Sequence, residues 1–251
     1  MILLLACFFR DAEPPACPDG MVPIEGGSWD LGRTDDPGGP YEGGWLPLHT
    51  VTLEAYCIDA YPFPGRQGVA WPLDGLTWDR IEVLETRLAQ LGRRPCTVSE
   101  LLRAAAGPEN RQYPTHATEW DKALCDDNDL HPKPLGTFPD CVTDEGLHDF
   151  QVRSTWARMD EPAKAAFLAR WPPEALWFDG WAVWGGTARD DTFYVPDNTG
   201  IHFHGPGVDQ FEDDNFRVCA DVGATDDPEA WAAFIDTFVE HNNYKALYSP
   251  H

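Results

Sequence analysis

Apolar residues recur at helical spacing between residues 76 and 91, which predicts an amphipathic helix that faces a core. Gly92 follows directly, and glycine commonly ends helices because it tolerates a left-handed backbone. The apolar face of this helix consists of Leu76, Ile81, Leu84, Leu88 and Leu91.

Start and stop signals predict two more helices in the middle of the chain. Thr97 and Glu100 form the T-x-x-E pattern of a capping box, and the helix that begins there ends at Gly107-Pro108. Asp160, followed by Glu-Pro, starts a third helix, which we expect to run to about Trp171, where two consecutive prolines end it.

A last helix is predicted near the C-terminus, with Asp227 as its cap and Pro228 at its first position. We expect residues 223–251 to form a helical extension to the main domain, which spans residues 17–222. The inward face of this helix carries Trp231, Phe234, Ile235 and Phe238.

Alternation of apolar and polar residues predicts several short strands. Residues 21–29 form a strand that enters a glycine turn, and residues 49–59, HTVTLEAYCID, alternate as one half-buried strand. Residues 181–222 contain further strand-like runs, and residues 108–158 are irregular with strong turn signals. The sequence therefore predicts an α+β domain with short strands, few helices and much irregular loop. The inward face of the strand at 49–59 carries Val51, Leu53, Ala55 and Cys57.

The amino-acid composition argues against two classes of function. The 251 residues include 42 Asp and Glu but only 18 Lys and Arg, which gives a formal net charge of -24. This charge repels phosphate backbones and anionic lipid surfaces, so we expect neither nucleic-acid binding nor electrostatic membrane binding. The 11 Trp, 22 Gly and 23 Pro indicate a loop-rich fold in which aromatic rings pack between irregular segments.

The N-terminal residues predict export. The opening MILLLACFF is apolar but too short to span a bilayer. Leu4-Leu5-Ala6-Cys7 matches a bacterial lipobox, in which the cysteine becomes the lipidated N-terminus, and the polar, proline-rich stretch that follows is typical of a tether. We therefore expect a periplasmic protein or a lipoprotein anchored to the outer membrane through Cys7, with residues 1–16 as truncated signal and tether.

Six cysteines remain if Cys7 is lipidated, and an even number in an exported chain predicts disulfides. Because no C-x-x-C pair occurs, a zinc ribbon or a thioredoxin-like site has no support. The first expected disulfide is Cys17–Cys57, which would tie the N-terminal strand to the next one. The remaining pairs, assigned by elimination, are Cys96–Cys125 and Cys141–Cys219.

Six segments follow one another in the order of a known set of motifs. Residues 17–29, CPDGMVPIEGGSW, are similar to G-M-V-x-I-P-G-G-x-F, and residues 47–53, PLHTVTL, to P-x-H-x-V-x-L. Within the second segment, His49 is expected to be a structural residue of the first sheet. Residues 94–108, RPCTVSELLRAAAGP, resemble R-L-P-T-E-A-E-W-E-x-A-x-R-G.

The other three segments complete the order. Residues 146–150, GLHDF, resemble G-L-x-D-M; residues 184–187, WGGT, stand where R-G-G-S-W is expected; and residues 215–220, NFRVCA, resemble the closing G-F-R-C-A. Together the six segments resemble the formylglycine-generating enzyme family, also called the sulfatase-modifying factor domain. The resemblance covers about residues 17–222 and implies a C-type-lectin-like fold.

Two parts of the family's machinery are missing from this chain. Family enzymes place a redox-active cysteine pair, which binds copper, just after R-G-G-S-W, but residues 185–195, GGTARDDTFYV, contain no cysteine. The family's G-N-V-W-E-W, which supplies calcium ligands and a wall of the substrate groove, is replaced by VRSTWA at residues 152–157. We therefore expect the oxidase activity to be absent, and the calcium ligands implied by the family are lost.

The strongest metal-like pattern is His202-Phe-His204, because residues i and i+2 of a strand point to one face. With Asp209 or Asp197 as third ligand, this set would suit iron or another divalent metal. A structural or solvent-exposed role for the two histidines is the alternative.

Acidic turns offer oxygen ligands for Ca²⁺. Asp126-Asp127-Asn128-Asp129 is the clearest, although it lacks the ligand spacing of an EF-hand and would otherwise be a solvated turn. Residues 190–191 and 212–214 are similar. The carboxylates of Asp144, Glu145 and Asp149 could serve in acid–base chemistry, but the sequence alone pairs none of them.

The aromatic residues suggest where a ligand would bind. We expect a groove with walls from residues 108–158 and 181–210, although core packing is the alternative role for its tryptophans. The leading hypothesis is a catalytically degenerate binding or structural module of the bacterial cell envelope that needs no cofactor and recognises a peptide, a glycan or an envelope protein. The alternative is an iron or copper oxidase that uses His202 and His204. The candidate groove residues are Trp156, Trp181, Trp184, Arg189 and Tyr194.

Overall fold

A computed structural model defines the fold of most of the predicted domain. It contains ten strands and five helices within the described residues, and none of these helices is long and apolar enough to cross a membrane. The residues described are 17–34, 46–65, 67–68, 78–111, 115, 122–125, 134–150, 155–173, 181–184, 201–202, 215–224 and 227–241.

The strands are short, as the sequence predicts, and the fold is α+β. The strands are β1 (Met21–Ile24), β2 (Gly27–Leu31), β3 (His49–Leu53), β4 (Tyr56–Asp59), β5 (Arg94–Pro95), β6 (Thr155–Arg158), β7 (Trp181–Trp184), β8 (Ile201–His202), β9 (Asn215–Phe216) and β10 (Val218–Asp221). The helices are α1 (Trp78–Gln90), α2 (Val98–Ala106), α3 (Lys122–Cys125), α4 (Glu161–Leu168) and α5 (Pro228–His241).

A four-stranded antiparallel sheet, in the order β1-β4-β10-β5, forms the centre of the fold. Its side chains alternate between two hydrophobic clusters, one on each face. In β4, Ile58 belongs to cluster 1 and Cys57 to cluster 2, and their partners in β10, Cys219 and Ala220, follow the same division. The sheet is therefore buried on both faces.

Different helices cover the two faces. Cluster 1 contains residues of α2 and α4, such as Leu101 and Phe167, together with Val51 of β3. Cluster 2 contains Leu84 and Leu88 of α1 and Ile235 of α5. Thus α5, expected as an extension of the domain, contributes a fully buried residue to one of its two hydrophobic clusters.

The segment 49–59 forms two strands rather than the single half-buried strand expected. β2 pairs with β3 and β1 pairs with β4 in one continuous antiparallel register, but the pairing is interrupted at residues 25–26 and 54–55. The two halves then enter different sheets. β3 keeps the alternating burial, whereas all four residues of β4 are buried because a cluster lies on each side of it.

Local sequence signals predicted most of the helix ends correctly. Thr97 caps α2 through a complete capping box with Glu100, and Asp160 and Asp227 accept hydrogen bonds from the first turns of α4 and α5. Gly92 ends α1 with a positive φ of 67°. The helix expected to reach about Trp171 ends at Leu168 instead, and a hydrogen-bonded turn follows it before the prolines.

The six cysteines form three disulfides, of which one was predicted correctly. Cys17–Cys57 is confirmed, but the expected Cys96–Cys125 and Cys141–Cys219 are wrong. The structure pairs Cys96 with Cys219 and Cys125 with Cys141. The physical reason is the central sheet: β5 pairs with β10, which places Cys96, the residue after β5, beside Cys219. Three disulfides fit an exported protein in an oxidising compartment.

Candidate functional site

The predicted groove tryptophans lie in a second four-stranded sheet, in the order β8-β7-β6-β9. Trp156 is opposite Val183, which is in turn opposite His202, so these three positions form one row across the sheet. Trp184 pairs with Thr155, and Trp181 with Arg158. The structure therefore brings the backbone of all three tryptophans and of His202 together, although β6 fell in a segment expected to be irregular.

The other residues proposed for the groove and for metal binding fall outside the described residues: Arg189, Tyr194, Asp197, His204, Asp209, the acidic segments 126–129, 190–191 and 212–214, and the lipidation candidate Cys7. Within the ranges that the structure describes, no group of three or more His, Cys, Asp or Glu could hold a metal ion. The groove and the histidine metal site thus stay predictions.

Disulfide pairing determines whether the cysteines can act as thiolate ligands. Cys57, Cys96 and Cys219 are fully buried, and every cysteine from Cys17 onward belongs to a disulfide. A disulfide sulfur carries no thiolate charge and cannot serve as the soft ligand that Cu(I) prefers. No pair of free thiols is therefore available in residues 17–251.

A cluster of charged side chains, which we call the α2 cluster, lies at the C-terminal end of α2. Arg103 donates a hydrogen bond from Nη1 to Oε1 of Glu145 at 3.0 Å, and its guanidinium lies 4.3 Å from the centre of the Trp29 ring. Arg111 pairs with Asp144, and its Nη2 lies 3.8 Å from Oε2 of Glu145. These five residues define the cluster, which joins β2, α2 and the turn at 144–146.

Only two of the five residues of the α2 cluster were candidates in the sequence. Asp144 and Glu145 were candidate carboxylates, and the structure gives them arginine partners. Trp29, Arg103 and Arg111 were not singled out, because 42 residues separate Arg103 from Glu145 and no local pattern reports that contact. Asp149, the third candidate carboxylate, faces a different group of residues.

A second charged group, centred on Arg217, is buried in the core. Arg217 is fully buried, and its Nη1 donates hydrogen bonds to the carbonyl oxygens of Asp59 at 2.9 Å and Ala60 at 3.2 Å, while its Nη2 donates to that of His148. Its guanidinium also lies 3.9 Å from the centre of the Phe150 ring. Burial lowers the pKa of Arg217 to about 9, which leaves the side chain charged at neutral pH.

Two buried carboxylates, those of Asp59 and Asp149, interact with the charge of Arg217. Burial raises the pKa of Asp59 to about 7, although the guanidinium groups of Arg93 and Arg217 act in the opposite direction. Asp149 has a positive φ of 58° and accepts a hydrogen bond from the backbone N–H of Gly136, and burial raises its pKa too. Asp149 and Arg217 come from the G-L-x-D and F-R segments, so two motifs far apart in sequence meet in the core.

Asp59 makes stability depend on pH. Its pKa is raised on folding, so between about pH 4 and about pH 7 the folded protein holds a proton that the unfolded chain releases. The stabilisation from this group is complete below its unfolded pKa and is lost as the pH rises through about 7. We expect the stability advantage of the wild type over Asp59→Asn to shrink across this range.

Urea unfolding of both proteins at steps from about pH 4 to about pH 8 measures this difference. Because Asp149 and Asp160 also have raised pKa values, each curve alone mixes several groups, and only the difference between the two proteins isolates Asp59. A difference that stays constant from about pH 4 to about pH 8 would contradict the prediction.

Comparison with known proteins identifies the fold but no family. No family model matches the chain, and no curated protein matches it significantly. Among solved structures, the chain is similar to the structure of PvdO from Pseudomonas aeruginosa, with a TM-score of 0.58 and 16% sequence identity over 82% of this chain and 95% of that chain. At this identity, the similarity shows that the two chains share a fold.

Proposed function

We propose that this protein is an exported binding or structural module with a fold like that of the formylglycine-generating enzymes, and that it does not carry out their oxidase reaction. The observation that carries the proposal is the pairing of all six cysteines from Cys17 onward in three disulfides. The copper-dependent reaction of that family requires two thiolates, and these cysteines offer none. A C-type-lectin-like topology is part of the same proposal.

The order of the motifs supports the proposed kinship. Thr97 and Glu100 of the third segment form the start of α2, and Asp149 and Arg217 of the fourth and sixth segments lie together in the core. In this proposal these positions maintain the fold. A chain that keeps fold-determining residues and lacks the reactive cysteines is what we expect of a binding module derived from an enzyme.

The cell envelope is the proposed location. Disulfides form and persist in the periplasm and outside the cell, and they are rare in the cytosol. A lipid on Cys7 would hold the domain at the membrane through a tether that ends at Cys17, where the first disulfide begins. The ligand would be a peptide, a glycan or an envelope protein, and no resident cofactor is required.

The experiment that tests this proposal combines metal content with oxygen consumption. Protein purified under oxidising conditions, without chelator or affinity metal, is analysed by plasma mass spectrometry and then incubated with a cysteine-containing peptide in an oxygen electrode. We expect far less than one equivalent of copper or iron and no oxygen uptake above the peptide alone.

About one equivalent of copper or iron, with oxygen uptake that disappears in His202→Ala, would overturn the proposal in favour of a histidine-based oxidase. Thr52→Ala, at an exposed position of β3, serves as the matched control for loss of activity through handling or folding. Calcium alone would agree with a binding module that uses Ca²⁺ as a structural ion.

A further inference from the structure

Trp29, Arg103, Asn110 and Glu145, in and beside the α2 cluster, each have one buried polar atom without a hydrogen-bond partner within the described residues. Two are donors, Nε1 of Trp29 and Nε of Arg103, and two are acceptors, Oε2 of Glu145 and Oδ1 of Asn110. Native proteins pair nearly all such atoms, and water, an ion or a ligand at the cluster would supply the partners of these four.

These atoms belong to one contiguous neighbourhood. Arg103 contacts both Trp29 and Glu145, and Glu145 lies beside Arg111, the residue that follows Asn110. Asn110 is itself anchored, because its Nδ2 donates to the carbonyl oxygen of Gly32 at 2.9 Å. The neighbourhood is thus held in place from β2, α2 and the turn at 144–146.

The cluster reaches the surface at one side. Arg103 is 4% exposed, whereas Glu145 and Arg111 are each 17% exposed and Asp144 is 43% exposed. Trp29 is partly exposed as well. The unpartnered atoms are themselves buried, but they belong to or adjoin side chains that are partly exposed, among them an aromatic ring.

The charges of the cluster constrain what could bind there. Arg103 and Arg111 are balanced by Asp144 and Glu145, so the cluster has no net charge. An anion would meet two carboxylates, and a cation would meet two guanidinium groups. Neither kind of ligand would gain from the cluster as a whole.

We infer that the α2 cluster is a binding site for a neutral glycan. A hydroxyl group both donates and accepts hydrogen bonds, so neighbouring hydroxyls of one sugar can satisfy donors and acceptors at the same site. The apolar face of a sugar ring can pack against the exposed part of Trp29. This inference rests on the proposed binding function and names its ligand class and its site.

The test measures binding of neutral oligosaccharides, namely chitohexaose, maltohexaose and cellohexaose, by isothermal titration calorimetry, with polygalacturonate as the charged comparison. We expect saturable binding of at least one neutral oligosaccharide and none of polygalacturonate. Glu145→Gln replaces one acceptor, and Trp29→Phe removes the indole donor but keeps an aromatic ring. Each variant is expected to weaken binding about tenfold, the effect of one lost hydrogen bond.

Glu85→Gln is the matched control, because Glu85 also pairs with an arginine, Arg158, at 2.5 Å but lies on α1. Its binding should equal that of the wild type, and thermal unfolding of all variants establishes that they are folded. Absence of binding to all three neutral oligosaccharides, or equal binding by Glu145→Gln, Trp29→Phe and the wild type, would overturn the inference and leave internal water as the partner of the four atoms.

The failures of the two proposals are distinguishable. Sugar binding that is unchanged in the α2-cluster variants but lost in Trp181→Ala would overturn the site and leave the binding function in place. Preferential binding of polygalacturonate would overturn the ligand class. Copper- or iron-dependent oxygen uptake would overturn the proposed function itself, by a measurement that involves no sugar.

Discussion

Replacing Cys96 and Cys219 together by alanine is expected to lower the free energy of unfolding by about 5 kcal/mol. This disulfide links positions that are 123 residues apart, so its loss frees a long loop in the unfolded chain. Both cysteines are fully buried against cluster 1, so the variant also leaves a void beside the central sheet. Denaturant unfolding at neutral pH measures the loss.

The matched control is removal of Cys125–Cys141, which spans only 16 residues. The same chain-entropy relation gives about 3 kcal/mol for a loop of that size. We therefore expect the Cys96→Ala, Cys219→Ala variant to be the less stable of the two. An equal or smaller loss for the longer loop would show that residual structure in the unfolded chain, rather than loop length, decides the effect.

Arg217→Met is expected to destabilise the protein by about 4 kcal/mol, because it removes a buried charge that lies beside the carboxylates of Asp59 and Asp149. Asp59 and Asp149 would remain in the core, and the carbonyl oxygens of Asp59, Ala60 and His148 would each lose a donor. Methionine has a similar length, so lost packing contributes less than lost charge and hydrogen bonds. Denaturant unfolding measures the change.

A second substitution separates charge from packing in this core. If the charge of Asp59, which would keep only Arg93 beside it, contributes to the loss, Asp59→Asn in the Arg217→Met background should recover part of it, although Asp59→Asn alone is not expected to stabilise the wild type at neutral pH. Arg87→Met, at an exposed position of α1, is the control and should change stability by no more than about 0.5 kcal/mol. Strict additivity of the two core substitutions would refute the charge argument.

Features encoded by neighbouring residues could be predicted from the sequence. The capping box of Thr97 and Glu100, the caps at Asp160 and Asp227, and the helix end at Gly92 each depend on contacts within a few positions. Each of these signals lies within a few residues of the helix end that it determines. For that reason both ends of α1 and α2 and the start of α5 were predicted closely.

Features that depend on contacts between distant parts of the chain could not be predicted from the sequence. The alternation in 49–59 continues without a break, and only the cluster on the second face of β4 explains why Tyr56 and Ile58 are buried together with Cys57. The partner of Cys96 depends on the pairing of β5 with β10, which follows more than a hundred residues later. The α2 cluster has the same origin, because it joins three segments across the fold.

Cluster 2 also determines how much of the chain the domain needs to complete its fold. It combines Met21 and Phe63 from the first quarter of the chain with Ile235 from the last helix. α1 covers this face of the central sheet only in part, so its burial is complete only when α5 has joined the domain. A chain terminated before residue 228 would lack this part of the cover, and we expect it to expose apolar residues of cluster 2 and to aggregate more readily than the full chain.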